Sequence, residues 1–223
     1  MEEPDAIGPL PAPGRVDIFA RRALQGSGLD GRQSKLALPA LGKSTVEPMV
    51  AIVDVLAQEM AESYGELTQR LSRLTDGEFA WEPVDGSWRV FRGDDGRWTY
   101  DYEIPDPQPA PFTTIGWRLV HVAMCKVMYQ EWAFGARELT WIAIETPPDV
   151  RASIEMLTRG HELLADDLAA LRDEDLERSV LTNWGEPWPA WRIFTAMTDH
   201  DRHHGAEIGV LRDLYRIAGP FHV

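Results

Sequence analysis

The sequence predicts an all-α protein: an up-and-down-type four-helix bundle with a long loop and hairpin between its first two helices, and an irregular N-terminal tail. Three observations carry this expectation. Four segments repeat apolar residues at steps of three and four, the spacing that keeps side chains on one helical face. Each segment has recognisable start or stop chemistry. Polar residues fill the opposite faces and no internal repeat is present, so the four stripes must bury one another.

Residues 1–44 are rich in Gly and Pro and show no sustained period, which predicts a tail or strap, with a short helix around Val16 to Leu24 as an option. The bundle is expected over 45–219 and a C-terminal end over 220–223. Its first helix opens at Thr45, a capping residue type, with Pro48 in the first turn and the stripe Met49, Val53, Leu56, Met60, Tyr64, Leu67, Leu71. The connection from Asp76 to Pro111 holds two aromatic-rich runs either side of Asp95-Gly96, a hairpin signal, and then "PDPQPAP", which cannot be helical. The second helix is expected from Thr114 to Phe134, with Gly135 as its stop. Thr146, two prolines and Asp149 give the third a capping-box-like opening, followed by the stripe Val150, Ile154, Leu157, His161, Leu164, Leu168, Leu171. The fourth runs from near Pro189 to Gly219, with Ile193, Met197, His200, His204, Leu211 and Leu214 on its inward face.

Composition narrows the function. A net charge of -14 argues against nucleic acid, which needs clustered Lys and Arg, and disfavours anionic membrane surfaces. The N-terminus lacks the basic start and apolar run of a signal peptide, and no apolar run reaches bilayer length. One cysteine, Cys125, excludes an internal disulfide and suits a reducing cytoplasm.

The histidines are the informative residues. "HDRHH" places His200 and His204 on the apolar stripe of the fourth helix, one turn apart, while His203 is rotated toward the stripe's edge. Buried imidazoles need partners, and an i, i+4 pair can share one metal ion. A third ligand must come from another helix. His121 is the natural one, on a face shared with Trp117, Cys125, Met128 and Trp132. His161 also falls on an inward stripe, where a core histidine hydrogen-bonded locally is the preferred reading. Cys125 is better read as a small buried hydrophobe than as a ligand. Glu207, one turn beyond His203 and His204, reads equally as a carboxylate orienting a ligand imidazole or as an exposed helix residue.

"TTIGWRLVHV" with the downstream "HDRHHGAEIGVLRDLY" resembles the DinB/YfiT-like superfamily, common in Gram-positive bacteria and abundant in actinobacteria. The resemblance covers about Thr45 to Tyr215. It implies a four-helix bundle, often dimeric, with a divalent metal held by one histidine of the second helix and an i, i+4 pair of the fourth. On this chain those are His121, His200 and His204, the trio the helical faces also select. The tail before Thr45 departs from the family pattern. Several family members transfer low-molecular-weight thiols such as bacillithiol or mycothiol, or are thiol-dependent isomerases.

The expectation is therefore a metal-dependent S-transferase acting on a small-molecule electrophile, with zinc the leading metal and nickel, manganese or iron as alternatives. Three imidazoles leave an open position at which a thiol can bind as its thiolate. The same position could activate water, so a hydrolase and a non-catalytic metal- or ligand-binding protein stand as alternatives. A homodimer is the only protein partner suggested.

Overall fold

The computed structural model of the chain describes residues 50–105 and 107–219. The expected tail, its short helix, the Thr45 cap and the C-terminal end after Gly219 lie outside the described residues. Four long helices dominate: α1 (Ile52–Leu71), α3 (Ile115–Ala133), α4 (Val150–Ala169) and α5 (Ala190–Ala218). A short helix, α2 (Asp76–Ala80), follows α1. Two antiparallel hairpins, β1 (Val90–Arg92) with β2 (Trp98–Tyr100) and β3 (Ser179–Leu181) with β4 (Pro187–Pro189), and one 3₁₀ turn, Asp173–Asp175, complete the set. No described helix is long and apolar enough to cross a membrane.

Local chemistry explains most boundaries. The Thr114 side chain accepts from the Trp117 amide to open α3. Asp149 itself caps α4 by accepting from the Ala152 amide, so the start is one simple cap rather than a box begun at Thr146. Pro189 is the cap residue of α5, its fixed φ directing the chain into the first turn. The first amides of α1 at Ile52 and Val53 instead donate to the two carboxylate oxygens of Asp173, each at 2.9 Å. That cap comes from the short 3₁₀ turn Asp173–Asp175 that follows α4, so it has no local signature.

α1 packs along α5 and α4, and α3 along α4 and α5. The α1–α3 and α4–α5 connections carry the hairpins and join helices that share little packing. The core has two lobes. One gathers Leu67, Leu71, Phe79, Leu119, Leu157, Ile208 and Leu211; the other gathers Met60, Tyr129, Leu164, Leu168, Ile193, Phe194 and Met197. Every long helix changes from one lobe to the other near its middle, and polar residues mark the change: Ser63 on α1, Lys126 on α3, His161 on α4 and Asp201 on α5. Leu214 does not continue the inward stripe of α5, since it is 39 % exposed. Tyr215, four residues after Leu211, continues it instead and packs edge-on against Trp81.

Candidate metal centre

Lys126 interrupts an otherwise apolar helix face, and its side chain is wholly buried. Its Nζ donates to Asp201 Oδ2 at 2.8 Å, and neither side chain has exposed surface. Burial pulls the Lys126 ammonium below its ordinary range and pushes the Asp201 carboxyl above its own, each against the other's opposing charge. This pair ties α3 to α5. It neighbours the histidines on both helices, since Asp201 directly follows His200.

The rings of His121, His200 and His204 form a compact triangle. Centroids lie 5.6 Å apart for His121 and His200, 5.1 Å for His121 and His204, and 5.5 Å for His200 and His204. Each ring is held by a different contact. Trp117 stacks on His121 at 5.0 Å, nearly parallel, and its own Nε1 donates to the Asp101 carbonyl at 2.7 Å. The connection before α3 thus braces that ring. His200 Nδ1 sits 3.1 Å from the Ala196 carbonyl, which can only accept, so Nδ1 carries the proton and Nε2 keeps its lone pair.

His204 Nδ1 lies 2.8 Å from Glu207 Oε2. Burial pushes the Glu207 carboxyl up, but the His204 hydrogen bond and the Arg118 charge pull it further down, so it is ionised and accepts. His204 Nε2 is left free in turn. Arg118 Nη1 donates to Glu207 in an ion pair and also lies 3.2 Å from His204 Nδ1, a contact between two donors once the His204 proton is committed to Glu207. His203 is two-thirds exposed and faces Glu207 at 3.5 Å from the outside.

All three rings favour the neutral form. Burial holds His121 well below the usual histidine range, with the His204 and His200 charges adding to it. Burial brings His200 to about 4 and lowers His204 despite Glu207. Neutral imidazole is the metal-binding form, so the donor set fits a divalent ion. Two separate clusters of ligating atoms occur among the described residues, His121 with Cys125 and His200, and His203 with His204 and Glu207; they share no residue, and neither unites all three rings of the triangle. Cys125 Sγ is 3.8 Å from His121 Nε2, and burial pushes its thiol up to about 12.

His161 packs away from the triangle. It stacks on Tyr64 at 3.8 Å, and its buried Nδ1 has no partner among the described residues, so stacking rather than a local hydrogen bond holds it. Arg118 and the Lys126–Asp201 pair were not anticipated from sequence. A lone lysine inside "VAMCKVMY" was the available signal, because a cation in an apolar run needs a buried partner.

A family model for the DinB superfamily matches residues 59–208. The chain belongs to the DinB superfamily. The match spans α1 to the second half of α5 and so contains all three histidines of the triangle. A comparison with curated proteins found no match.

Proposed function

We propose that this DinB-superfamily protein is a metal-dependent transferase that conjugates a low-molecular-weight thiol, of the mycothiol or bacillithiol type, to a small electrophile. The observation that supports it is the triangle itself: three neutral imidazoles from two helices, two of them locked with Nε2 free. In this reading His121, His200 and His204 are the ligands. A divalent ion held there supplies Lewis acidity, which lowers the pKa of a bound thiol and favours the nucleophilic anion.

The chain's own residues supply the rest. Ala196 and Glu207 fix the tautomers of His200 and His204, and Arg118 keeps Glu207 ionised. Trp117 fixes the plane of His121 and shields it from water.

The test is metal analysis of the purified protein, followed by conjugation of mycothiol, bacillithiol or glutathione to a bimane electrophile. Alanine at His121, His200 or His204 is expected to strip metal and activity together, while Cys125→Ala and His203→Ala keep the metal. Glu207→Ala should weaken metal binding roughly 10–100-fold by freeing the His204 ring. Metal loss in Cys125→Ala with retention in His121→Ala would overturn the ligand set. A loaded protein inactive with all three thiols would shift the function to hydrolysis or to ligand binding without turnover.

A further inference from the structure

His121, Cys125 and Tyr129 follow one another at steps of four along α3 and so share one helical face. Aromatic side chains on a helix lean toward its N-terminus, which carries the Tyr129 ring back over the turn of Cys125, in the direction of His121. Cys125 Sγ lies 3.8 Å from His121 Nε2, and together with His200 these two offer ligating atoms all within 4.8 Å of one another. Tyr129 also borders that group from the α5 side, its ring centroid 6.3 Å from that of His200. The β3–β4 hairpin pins the phenol ring, with Trp184 and Trp188 edge-on to it at 5.5 and 6.1 Å.

Tyr129 is only 4 % exposed, yet its hydroxyl forms no hydrogen bond among the described residues. Tyr64 differs, since its hydroxyl shares a 2.9 Å bond with Thr158. Thr113 Oγ1 and Trp188 Nε1 also lack partners but are sealed from solvent, whereas the Tyr129 hydroxyl keeps a small reachable surface. Burial, and after it the neighbouring Cys125, pushes the phenol above its ordinary range against the Arg192 charge, so it keeps its proton and acts as a donor. A largely desolvated donor without a partner costs the free protein stability and rewards a ligand that brings an acceptor.

We infer that Tyr129 is a ligand-contacting residue of the histidine centre, its hydroxyl donating to the anionic atom of the reactant that fills the position left open by the three imidazoles. The inference rests on the proposed metal-dependent reading, in which that atom is the thiolate sulfur. It adds a selectivity to that reading: a small anion with a free lone pair is held by Tyr129, and a ligand without a second acceptor is not.

The test uses the full chain loaded with cobalt(II), whose visible absorption reports its ligands, and compares azide with imidazole as probes. Tyr129→Phe should take up as much cobalt as the parent and unfold at the same temperature in chelator, because the hydroxyl it removes has no partner in the chain. It should bind azide roughly 10–100-fold more weakly, the effect of losing one hydrogen bond to a charged acceptor. Imidazole, whose second nitrogen can only donate, should bind both proteins alike. Phenylalanine keeps the ring against Trp184 and Trp188, so a packing role alone predicts no change with either probe. Azide bound equally by parent and variant, or azide and imidazole weakened together, would overturn the inference. Cobalt uptake is measured first, which separates failure of the metal reading from failure of the role given to Tyr129; a parent that takes up none overturns both.

Discussion

Replacing Lys126 by Met, with and without Asp201→Leu, tests how the two lobes of the core are joined. Lys126 and Asp201 are both fully buried, joined by a 2.8 Å bond, and Asp201 Oδ1 has no partner among the described residues. The Ser63 hydroxyl beside it donates to the Met60 carbonyl at 3.1 Å and also pulls the Asp201 carboxyl down, more weakly than Lys126 does. Desolvation outweighs attraction for both groups, moving each toward its neutral form. Removing the ammonium alone strands a buried carboxylate, which costs about 3–5 kcal/mol. With a urea m-value of about 2.5 kcal/mol/M, the midpoint of Lys126→Met should fall by roughly 1.5 M. The double variant replaces both charges with apolar groups of similar size, and such replacements are near neutral or stabilising. It should unfold within about 1 kcal/mol of the parent or above it, whereas Asp201→Leu alone should cost about as much as Lys126→Met, giving a coupling of at least about 5 kcal/mol across the cycle. Unfolding is followed by far-UV circular dichroism in excess chelator, so that metal binding does not contribute. A single variant costing under about 1 kcal/mol, or a double variant costing the sum of the singles, would refute the reasoning.

Gly160 faces α3 so closely that an added Cβ would meet Lys126 Cβ at 2.8 Å, whereas at Gly65 nothing lies within 4 Å. Gly65→Ala should raise stability by about 0.5–1 kcal/mol through helix propensity, and Gly160→Ala should lower it by about 1 kcal/mol as overpacking exceeds that gain; thermal unfolding of the pair decides. His161 is held at about 4 by burial and then by the Lys126 charge, with Tyr64 stacked on its other side. Its folded pKa is below the unfolded value, so its contribution is present above about 6.5 and lost as pH falls toward 4. His161→Phe keeps the stack and should retain about 1 kcal/mol more stability than the parent at pH 4.5, a figure discounted for the ring's partial exposure; parallel pH profiles would refute it. Finally, Lys126→Met/Asp201→Leu should bind metal at least tenfold more weakly than the parent although equally stable, since one pK unit of affinity is a small fraction of what register errors cost a metal site.

Elements with a cap made by their own residues were legible in the sequence, and those closed by distant residues were not. Thr114, Asp149 and Pro189 announce α3, α4 and α5 within a residue of their starts. The start of α1 depends on Asp173, about 120 positions away, which no window can see. α2 was legible but overlooked: "TDGE" is a capping box, with Thr75 and Glu78 exchanging both bonds. The second hairpin was hidden by Pro187 and Pro189, which weaken a strand reading, although each sits in a two-stranded ribbon whose edges tolerate proline. The turn signal was there in Gly185, at a φ of +85°. For the histidines the helical period alone placed His200 and His204 on one face and His203 off it. The Ala196 carbonyl that orients His200, and the Arg118 ion pair that holds Glu207 beside His204, depend on rotamers and on the rotation of α3 against α5, which a single sequence does not specify.

That rotation is what the buried ion pair controls. Apolar stripes specify that α3 and α5 face each other, but leucine and methionine contacts tolerate small slides and turns at little cost. A 2.8 Å bond between two buried charges does not, because any displacement leaves each charge without its partner. Lys126 sits five residues beyond His121, and Asp201 is one residue beyond His200 and three before His204. Fixing Lys126 on Asp201 therefore fixes the height and azimuth at which all three imidazoles meet. Since desolvation opposes the charged state of both partners, stability alone gives little reason for the pair to occupy the joint between two well-packed lobes. Its effect on register does give one: the same two helices must deliver their ring nitrogens to a common point, and an apolar joint would leave that point undetermined.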